Sequence, residues 1–323
     1  MAGINIAVDA MGGDNAPAAV VGGSAAALFE QVGFSITLVG REELIYNELA
    51  GLALKEDYLK SGRLNICRAD EIITDGDAPA AAIKEKKDSS MVVCLRMLKE
   101  GEAQAAVSAG NTGALLTGGL LVVGRINGIL RPALGVMIPT RGGAGYYLLI
   151  DAGANMDTKP AFLAQFARLG SVYMESLFDM PSPRVGLINV GTEIEKGNAL
   201  TKEAYPLLQS SGLNFIGNVE TGSLSFGGAD VAVCDGFVGN VMLKNIEGIS
   251  KMLFSGMTHN SFDDLKKSYD PSEVGGAPFL GLNGLVVKTH GNAGKRAWMN
   301  AILKAVAYTK NNAQNKLNDY FSI

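Results

Sequence analysis

Asp9, Gly12, Gly13 and Asp14 fall within one short stretch, "IAVDAMGGDNAP" (residues 6–17), where an apolar run meets paired glycines flanked by acids. Paired glycines let backbone N–H groups approach a ligand closely, and the helix that follows would turn its N-terminus toward an anion. Two carboxylates in such a turn repel an anion unless they hold the turn's own N–H groups or a basic partner. The expectation is that Asp9 and Asp14 brace the Gly-Gly turn so that its backbone faces the anion.

Other polar bends carry chemistry of the same kind. "SAGNTGALLTGG" (108–119) sets Ser108, Gly110, Asn111 and Thr112 ahead of an apolar helix, an arrangement suited to phosphate. The Gly-Lys-Ser/Thr ending of a P-loop is absent, and simple helix capping accounts for Asn111 or Thr112 equally well. In "DAGANMD" (151–157), Asp151 and Asp157 could bind magnesium, but no further carboxylates cluster nearby, which favours loop bracing. "NVGTEIEKGN" (189–198) is the most polar bend, with Asn189, Glu193 and Lys196. Lys196 could place a point charge on phosphate or on a developing oxyanion, or it could be a solvated surface lysine. "CDGFVGN" (234–240) brings Asp235 to a strand end and Asn240 into the first turns of a helix. In "GGAPFLGLNGLVVKTHGNAGKRA" (275–297) a strand ends in Lys288-Thr289-His290. His290 is either structural or a proton donor.

Something must hold these bends, and the pattern of apolar runs supplies it. "INIAVDA", "SITLVG", "LNICRA", "AQAAVSAG", "ALGVMIPT", "YYLLIDAG", "RVGLINVG", "LNFIGNVE", "VAVCDG" and "GLVVKTH" read as strands. Between them, segments such as "APAAVVGGSAAALFEQ" and "KPAFLAQFARLGSVYMESLF" repeat apolar residues at helical spacing. The alternation predicts an α/β fold: an open, largely parallel sheet with helices on both faces, its ligands gathered at the carboxyl ends of the strands. Residues 1–323 are expected to form one α/β unit, with a break near residue 140 as the alternative. Trp298, Ala301, Ile302 and Ala305 mark the buried face of a late helix. A helical excursion over about 240–276 interrupts the rhythm. There Met242, Ile246, Ile249 and Leu253 share one face, widened by Met252, Phe254 and Met257. That face would pack on the core, on a second subunit, or on a partner or membrane.

Composition narrows the function classes. A net charge of −4 gives no bulk attraction to nucleic acid or anionic lipid, so no nucleic-acid partner is expected. Cys67, Cys94 and Cys234 are odd in number and set in apolar runs, and they read as reduced, buried hydrophobes of a cytoplasmic protein. His259 and His290 are the whole histidine complement, so no metal site is expected. No export signal opens the sequence, and its longest apolar window, "GALLTGGLLVVG", falls well short of the roughly 20 residues of a membrane span.

In order, "AVDAMGGDNAP", "SAGNTGA", "LIDAGAN", "NVGTEIEKGN", "VCDGFVGNV" and "GGAPFLGLNGLVVKTHG" resemble the PlsX family of phosphate acyltransferases over nearly the whole chain. The resemblance implies transfer of a fatty acyl group from acyl carrier protein to inorganic phosphate, giving acyl phosphate for phospholipid synthesis. It implies a fold related to isopropylmalate dehydrogenase and phosphotransacetylase; no cofactor is expected. It also implies a homodimer associated with the inner face of the membrane, where a downstream membrane acyltransferase would be a contact. Three positions depart from the family pattern: Asn15 stands where a His is usual, Thr192 replaces an acid, and "THGNAG" replaces Ser-His-Gly-Ser-Ser-Asp.

The chemistry suits these residues. Phosphate is already anionic at neutral pH, so attack on a thioester needs an oriented nucleophile and donors for the carbonyl oxygen more than it needs a strong base. Gly12, Gly13, Ser108, Asn111 and Thr112 are expected to line the phosphate pocket. Asp9, Asp14, Asn189 and Glu193 belong with this substrate-binding group. Lys196 and Asn240 would polarise the thioester, and His290 would orient or protonate the sulfur side. A phosphotransacetylase-like enzyme using acyl-coenzyme A would need the same pocket. A decarboxylating dehydrogenase on a related fold and a non-catalytic phosphate-binding or membrane-docking protein are the remaining alternatives.

Overall fold

Each apolar run read as a strand forms one in the computed structural model, which describes residues 3–52, 57–141, 145–255, 269, 273 and 275–321. The chain begins β1 (Ile4–Asp9), α1 (Ala18–Glu30), β2 (Phe34–Gly40), α2 (Glu42–Ala50), α3 (Asp57–Lys60) and β3 (Leu64–Arg68). Next come α4 (Pro79–Glu85), α5 (Ser90–Glu100), β4 (Ala105–Ser108) and α6 (Thr112–Gly118), which passes directly into a π-helical turn at Gly119–Val123. Then follow β5 (Ala133–Pro139), β6 (Tyr146–Ile150), α7 (Pro160–Phe178), β7 (Val185–Ile188), α8 (Ala199–Gln209), β8 (Phe215–Val219), α9 (Thr221–Leu224), β9 (Val231–Val233) and α10 (Gly236–Ser255). The chain closes with β10 (Ala277–Leu280), β11 (Leu285–Lys288), α11 (Lys295–Lys310) and α12 (Ala313–Phe321). β10 is the strand that the pattern did not announce. It is short and carries Pro278, which cannot donate to a ladder.

The chain divides into two compact units, Met1–Arg125 with Pro271–Lys310 and Ile126–Asp270 with Asn311–Ile323, where a single unit or a break near residue 140 was expected. In the first unit the strands lie in the order β3-β2-β1-β4-β11-β10. All pair in parallel except β10, which runs antiparallel to β11. The second unit's strands lie in the order β5-β6-β9-β7-β8, again parallel except for β5 against β6. Helical crossovers account for the parallel pairings. Strands such as β4 and β7 are buried at every position, the pattern of a sheet covered on both faces.

The packing of the first unit explains a mid-helix glycine. A β-carbon on Gly23 would stand 2.4 Å from Trp298 Cβ and 2.7 Å from the Lys295 carbonyl, so only glycine lets α1 lie this close to α11. Trp298, Ala301, Ile302 and Ala305 of α11 are buried, as their spacing predicts. Cys94 and Cys234 are buried, and Cys67 is half-buried. On α10, Phe237, Val241, Ile249, Met252 and Leu253 are exposed, while Met242 and Ile246 are half-buried. The side chain of Phe254, Met257 and most of the expected excursion to residue 276 lie outside the described residues. Among the described residues no helix is long and apolar enough to cross a membrane.

Candidate functional site

β1, β4 and β11 run parallel, so the bends that follow them share the carboxyl edge of the first unit's sheet. Asp9 is the hub of these bends. Its carboxylate is buried and accepts the Ser90 hydroxyl at 2.6 Å on one oxygen and the Ser108 hydroxyl at 2.6 Å on the other. The Met11 N–H adds a third donor at 3.3 Å. Burial pushes the Asp9 carboxyl above its ordinary range, while Ser108, Ser90, the Met11 N–H and the charge of Lys288 pull it back down. The Ser108 oxygen in turn accepts the Gly110 N–H at 3.0 Å, so one carboxylate fixes the first bend and the start of the second.

The glycines fit this frame. Gly12 is packed against the hub: a β-carbon there would stand 2.5 Å from Asp9 Oδ2 and 2.9 Å from the Gly110 nitrogen. Gly13 has φ +96°, and its β-carbon would meet the Gly291 carbonyl at 2.7 Å. The third bend is joined here as well. The Asp14 N–H donates to the Gly291 carbonyl at 2.8 Å, and the Asn15 amide donates to the Asn292 carbonyl at 3.0 Å. Two departures from the family pattern, Asn15 and the segment 289–294, therefore bond to each other. Asp9 braces the turn as expected. Asp14 makes its tie through backbone, its side chain lying at the surface.

Asn111 caps α6, accepting the Ala114 N–H at 2.9 Å while its amide donates to the Asp75 carbonyl at 3.2 Å. The first intrahelical bond of α6 runs from the Leu115 N–H to the Asn111 carbonyl. The N–H groups of Thr112 and Gly113 therefore have no acceptor within the helix. Asp75 lies on a loop held by Asp77, which accepts the Thr74 N–H at 2.7 Å and the Lys86 ammonium at 2.6 Å. The Lys86 partner holds the Asp77 carboxyl down at about 2. His290 is exposed at the end of the third bend. Lys288, which precedes it, donates its ammonium to the carbonyls of Ala109, at 3.2 Å, and Thr289.

In the second unit, β6, β9 and β7 likewise run parallel and send three bends to one sheet edge. Asp151 is fully buried. It accepts the N–H groups of Leu134 (3.0 Å), Gly153 (3.1 Å), Ala154 (2.9 Å) and Asn155 (2.7 Å), and the Asn155 amide (2.8 Å). Burial raises its carboxyl, and the donors of Ala154, Asn155 and Leu134 oppose the rise. Asp151 thus braces its own loop; Asp157 lies exposed. The Gly236 N–H donates to the Asn155 carbonyl at 2.8 Å, joining the 234–240 bend to this one. Asp235 caps α10 through the Val238 N–H at 2.9 Å, and Asn240 lies half-buried against Gly153.

The 189–198 bend is held from within. Asn189 donates to the Lys196 carbonyl at 3.1 Å and accepts the Val190 N–H at 2.9 Å. The Glu193 carbonyl takes the Lys196 N–H at 3.2 Å and the amide of buried Asn218 at 2.7 Å. The side chains of Glu193 and Lys196 remain exposed.

The structure thus brings Asp9, Gly12, Gly13, Asp14, Ser108, Asn111, Thr112 and His290 onto one edge of the first unit. It places Asn189, Glu193, Lys196 and Asn240 on bends of the second. Sequence reasoning missed Ser90, Asn218 and Lys288. Ser90 and Asn218 meet partners far away in the chain and leave no local signal, whereas Lys288 stood in view beside His290.

Parallel sheets with polar bends at their carboxyl edges define an α/β protein of the phosphotransacetylase fold. A phosphotransacetylase from Streptococcus pyogenes superposes with a TM-score of 0.65 at 17% identity, over 95% of this chain and 94% of that one. The chain belongs to the family described as fatty acid synthesis protein, the PlsX family, whose profile matches residues 4–316. It is 46% identical over 322 residues to a phosphate acyltransferase from Clostridium botulinum (strain Loch Maree / Type A3), covering 94% of each chain. It is 44% identical over 333 residues to one from Clostridium perfringens (strain SM101 / Type A), covering 98% of this chain and 96% of the relative.

Proposed function

We propose that this protein transfers a fatty acyl group from the thioester of acyl carrier protein to inorganic phosphate. A phosphate oxygen attacks the thioester carbonyl, the C–S bond breaks, and the thiolate leaves and takes up a proton. Acyl phosphate and the free thiol are the products. The observation that carries this reading is the full-length likeness to phosphate acyltransferases, and the joined bends of the first unit are chemically suited to it. Backbone groups of Gly12, Gly13 and the start of α6 face the phosphate, and Thr112 adds its hydroxyl. Asp9, Ser108 and Asn111 hold that backbone in place, and Asp14 ties it to the third bend. On the thioester, Lys196 and Asn240 polarise the carbonyl, while Asn189 and Glu193 shape the turn that carries Lys196. His290 serves the sulfur side. The exposed apolar strip of α10 supports a contact with a second copy or with the inner face of the membrane.

The test is purified protein with acyl carrier protein thioester, with and without phosphate, trapping acyl phosphate as the hydroxamate, and coenzyme A thioester run in parallel. Phosphate-dependent hydroxamate from the carrier-protein thioester is the expected result. Product from coenzyme A thioester alone would instead make it a phosphotransacetylase-like enzyme. Saturable phosphate binding without any transfer would leave a binding protein.

A further inference from the structure

We infer that Asn218 is a positioning residue that acts on the transfer step through Lys196, a role that rests on the phosphate-acyltransferase reading above and on Lys196 meeting the thioester. β8 is the platform. It pairs in parallel with β7, the strand from which the 189–198 bend leaves, with Leu187 opposite Asn218 and Ile188 opposite Val219. The Asn189 N–H donates to the Val219 carbonyl at 2.9 Å, which ties the start of the bend to β8. The Asn218 amide donates to the Glu193 carbonyl at 2.7 Å and ties the middle of the bend to the same strand. That Glu193 oxygen also accepts the Lys196 N–H at 3.2 Å, so the carbonyl that Asn218 holds is the one on which the Lys196 backbone rests. The stem of Lys196 is seated as well. It runs over Gly191, where a β-carbon would stand 3.2 Å from Lys196 Cγ, 3.6 Å from its Cδ and 2.8 Å from Glu193 Oε2.

Asn218 is buried while the Lys196 side chain is exposed, so its influence on a substrate at the surface must pass through the bend. Its ladder partner Leu187 is fully buried and apolar, and an apolar side chain at 218 would leave no buried polar atom unpaired. Instead the position carries an amide whose Oδ1 is buried with no donor among the described residues, a destabilising feature. Nor does the Glu193 carbonyl depend on Asn218 for a donor, since the Lys196 N–H already reaches it. What the amide adds is geometry. A charge that meets an oxyanion only in the transition state must be held within a fraction of an ångström of its place.

A double-mutant cycle in the full-length protein tests this. Asn218→Leu removes the donor together with the unpaired oxygen and keeps a similar bulk. It should lower kcat by about 10-fold or more while leaving both substrate KM values within about 2-fold. Amide exchange should quicken at Lys196, whose N–H rests on the released carbonyl. In a Lys196→Ala background the same substitution should change kcat by less than about 2-fold, because the group it positions is gone. Equal losses of kcat in the two backgrounds overturn the inference, since a defect of the fold would not depend on Lys196. An unchanged kcat in Asn218→Leu overturns it as well. Should the Leu variant fail to fold, Asn218→Ser, whose hydroxyl is too short to reach the Glu193 carbonyl, goes through the same cycle under the same criteria. A wild type without phosphate-dependent transfer removes the underlying reading, and Lys196→Ala with wild-type turnover removes the lysine's role; either takes this inference with it. Normal transfer, a slow Lys196→Ala and an unaffected Asn218→Leu together remove Asn218 alone.

Discussion

The Ser108 hydroxyl donates to the Asp9 carboxylate at 2.6 Å across the β1–β4 pair, from a position 99 residues further along the chain. The same oxygen accepts the Gly110 N–H at 3.0 Å, so its proton must point at Asp9 and its lone pair at the second bend. One hydroxyl thereby sets the relative position of two bends that sequence places far apart. Ser108→Ala leaves the Gly110 N–H without this acceptor and takes one donor from a buried carboxylate. The expected loss of stability is about 1–3 kcal/mol, read as a lowered urea midpoint at unchanged slope. Phosphate KM should rise with it, because the backbone at the start of α6 loses its support. A variant as stable as wild type would show that water or a shifted neighbour replaces the hydroxyl.

Gly13 carries a different demand, for backbone conformation. Its φ of +96° is strained for any residue with a β-carbon, and that carbon would press on the Gly291 carbonyl at 2.7 Å. Gly13→Ala should therefore cost about 1–3 kcal/mol, and the thermal unfolding midpoint should fall accordingly. The bond from the Asp14 N–H to Gly291 is the contact most directly displaced. Slower amide exchange at Asp14 in the variant than in the wild type would contradict this assignment.

Asp77 gives the fold an acid-sensitive joint. Its folded carboxyl is held down from 3.8 to about 2, chiefly by the Lys86 ammonium and next by the Thr74 N–H. A carboxyl depressed on folding adds stability that is present above its unfolded value and lost as pH falls through the folded one. Between about pH 4 and 2 the protein should lose that contribution, and Asp77→Asn should flatten the stability profile over this window. Because the same loop offers the Asp75 carbonyl to Asn111, the cap of α6 should loosen along with it. Chemical denaturation at stepped pH checks the first point. Amide exchange at Ala114 checks the second.

What the sequence made legible follows the range of the forces involved. The strands were readable because β-branched runs ending in Gly, Asp or Asn are local signals, and the Gly12–Gly13 turn because glycine pairs have few other uses. Hydrogen-bond destinations were less readable. Ser108 and Asn111 were read as lining a phosphate pocket, and what the sequence did not announce is that their short polar side chains also bond neighbouring backbone and shape the bend. Ser90 sits 81 residues from the carboxylate it holds, and nothing around "KKDSSMVV" announces that partner. β10 escaped notice because four residues with a proline fall below what a period-two pattern can mark. Asp151 was read as a brace because no further carboxylates stand near it in sequence, and the donors it accepts, Leu134, Gly153, Ala154 and Asn155, do hold its loop.

Lys196 is the sharpest remaining test of the thioester chemistry. Its backbone is fixed on both sides: its N–H donates to the Glu193 carbonyl at 3.2 Å, and its carbonyl accepts the Asn189 amide at 3.1 Å. Asn218 holds the same Glu193 carbonyl at 2.7 Å. The side chain itself remains exposed, so truncating it should leave the fold unchanged, and an effect on rate can be assigned to the ammonium. If that ammonium meets the negative charge that develops on the thioester carbonyl oxygen, Lys196→Ala should lower turnover by about 100-fold or more, the scale of one lost electrostatic donor. Substrate KM values should change far less, since the charge appears only in the transition state. Near wild-type turnover in a folded Lys196→Ala variant would return Lys196 to the ordinary class of solvated surface lysines, and the oxyanion would then need another donor.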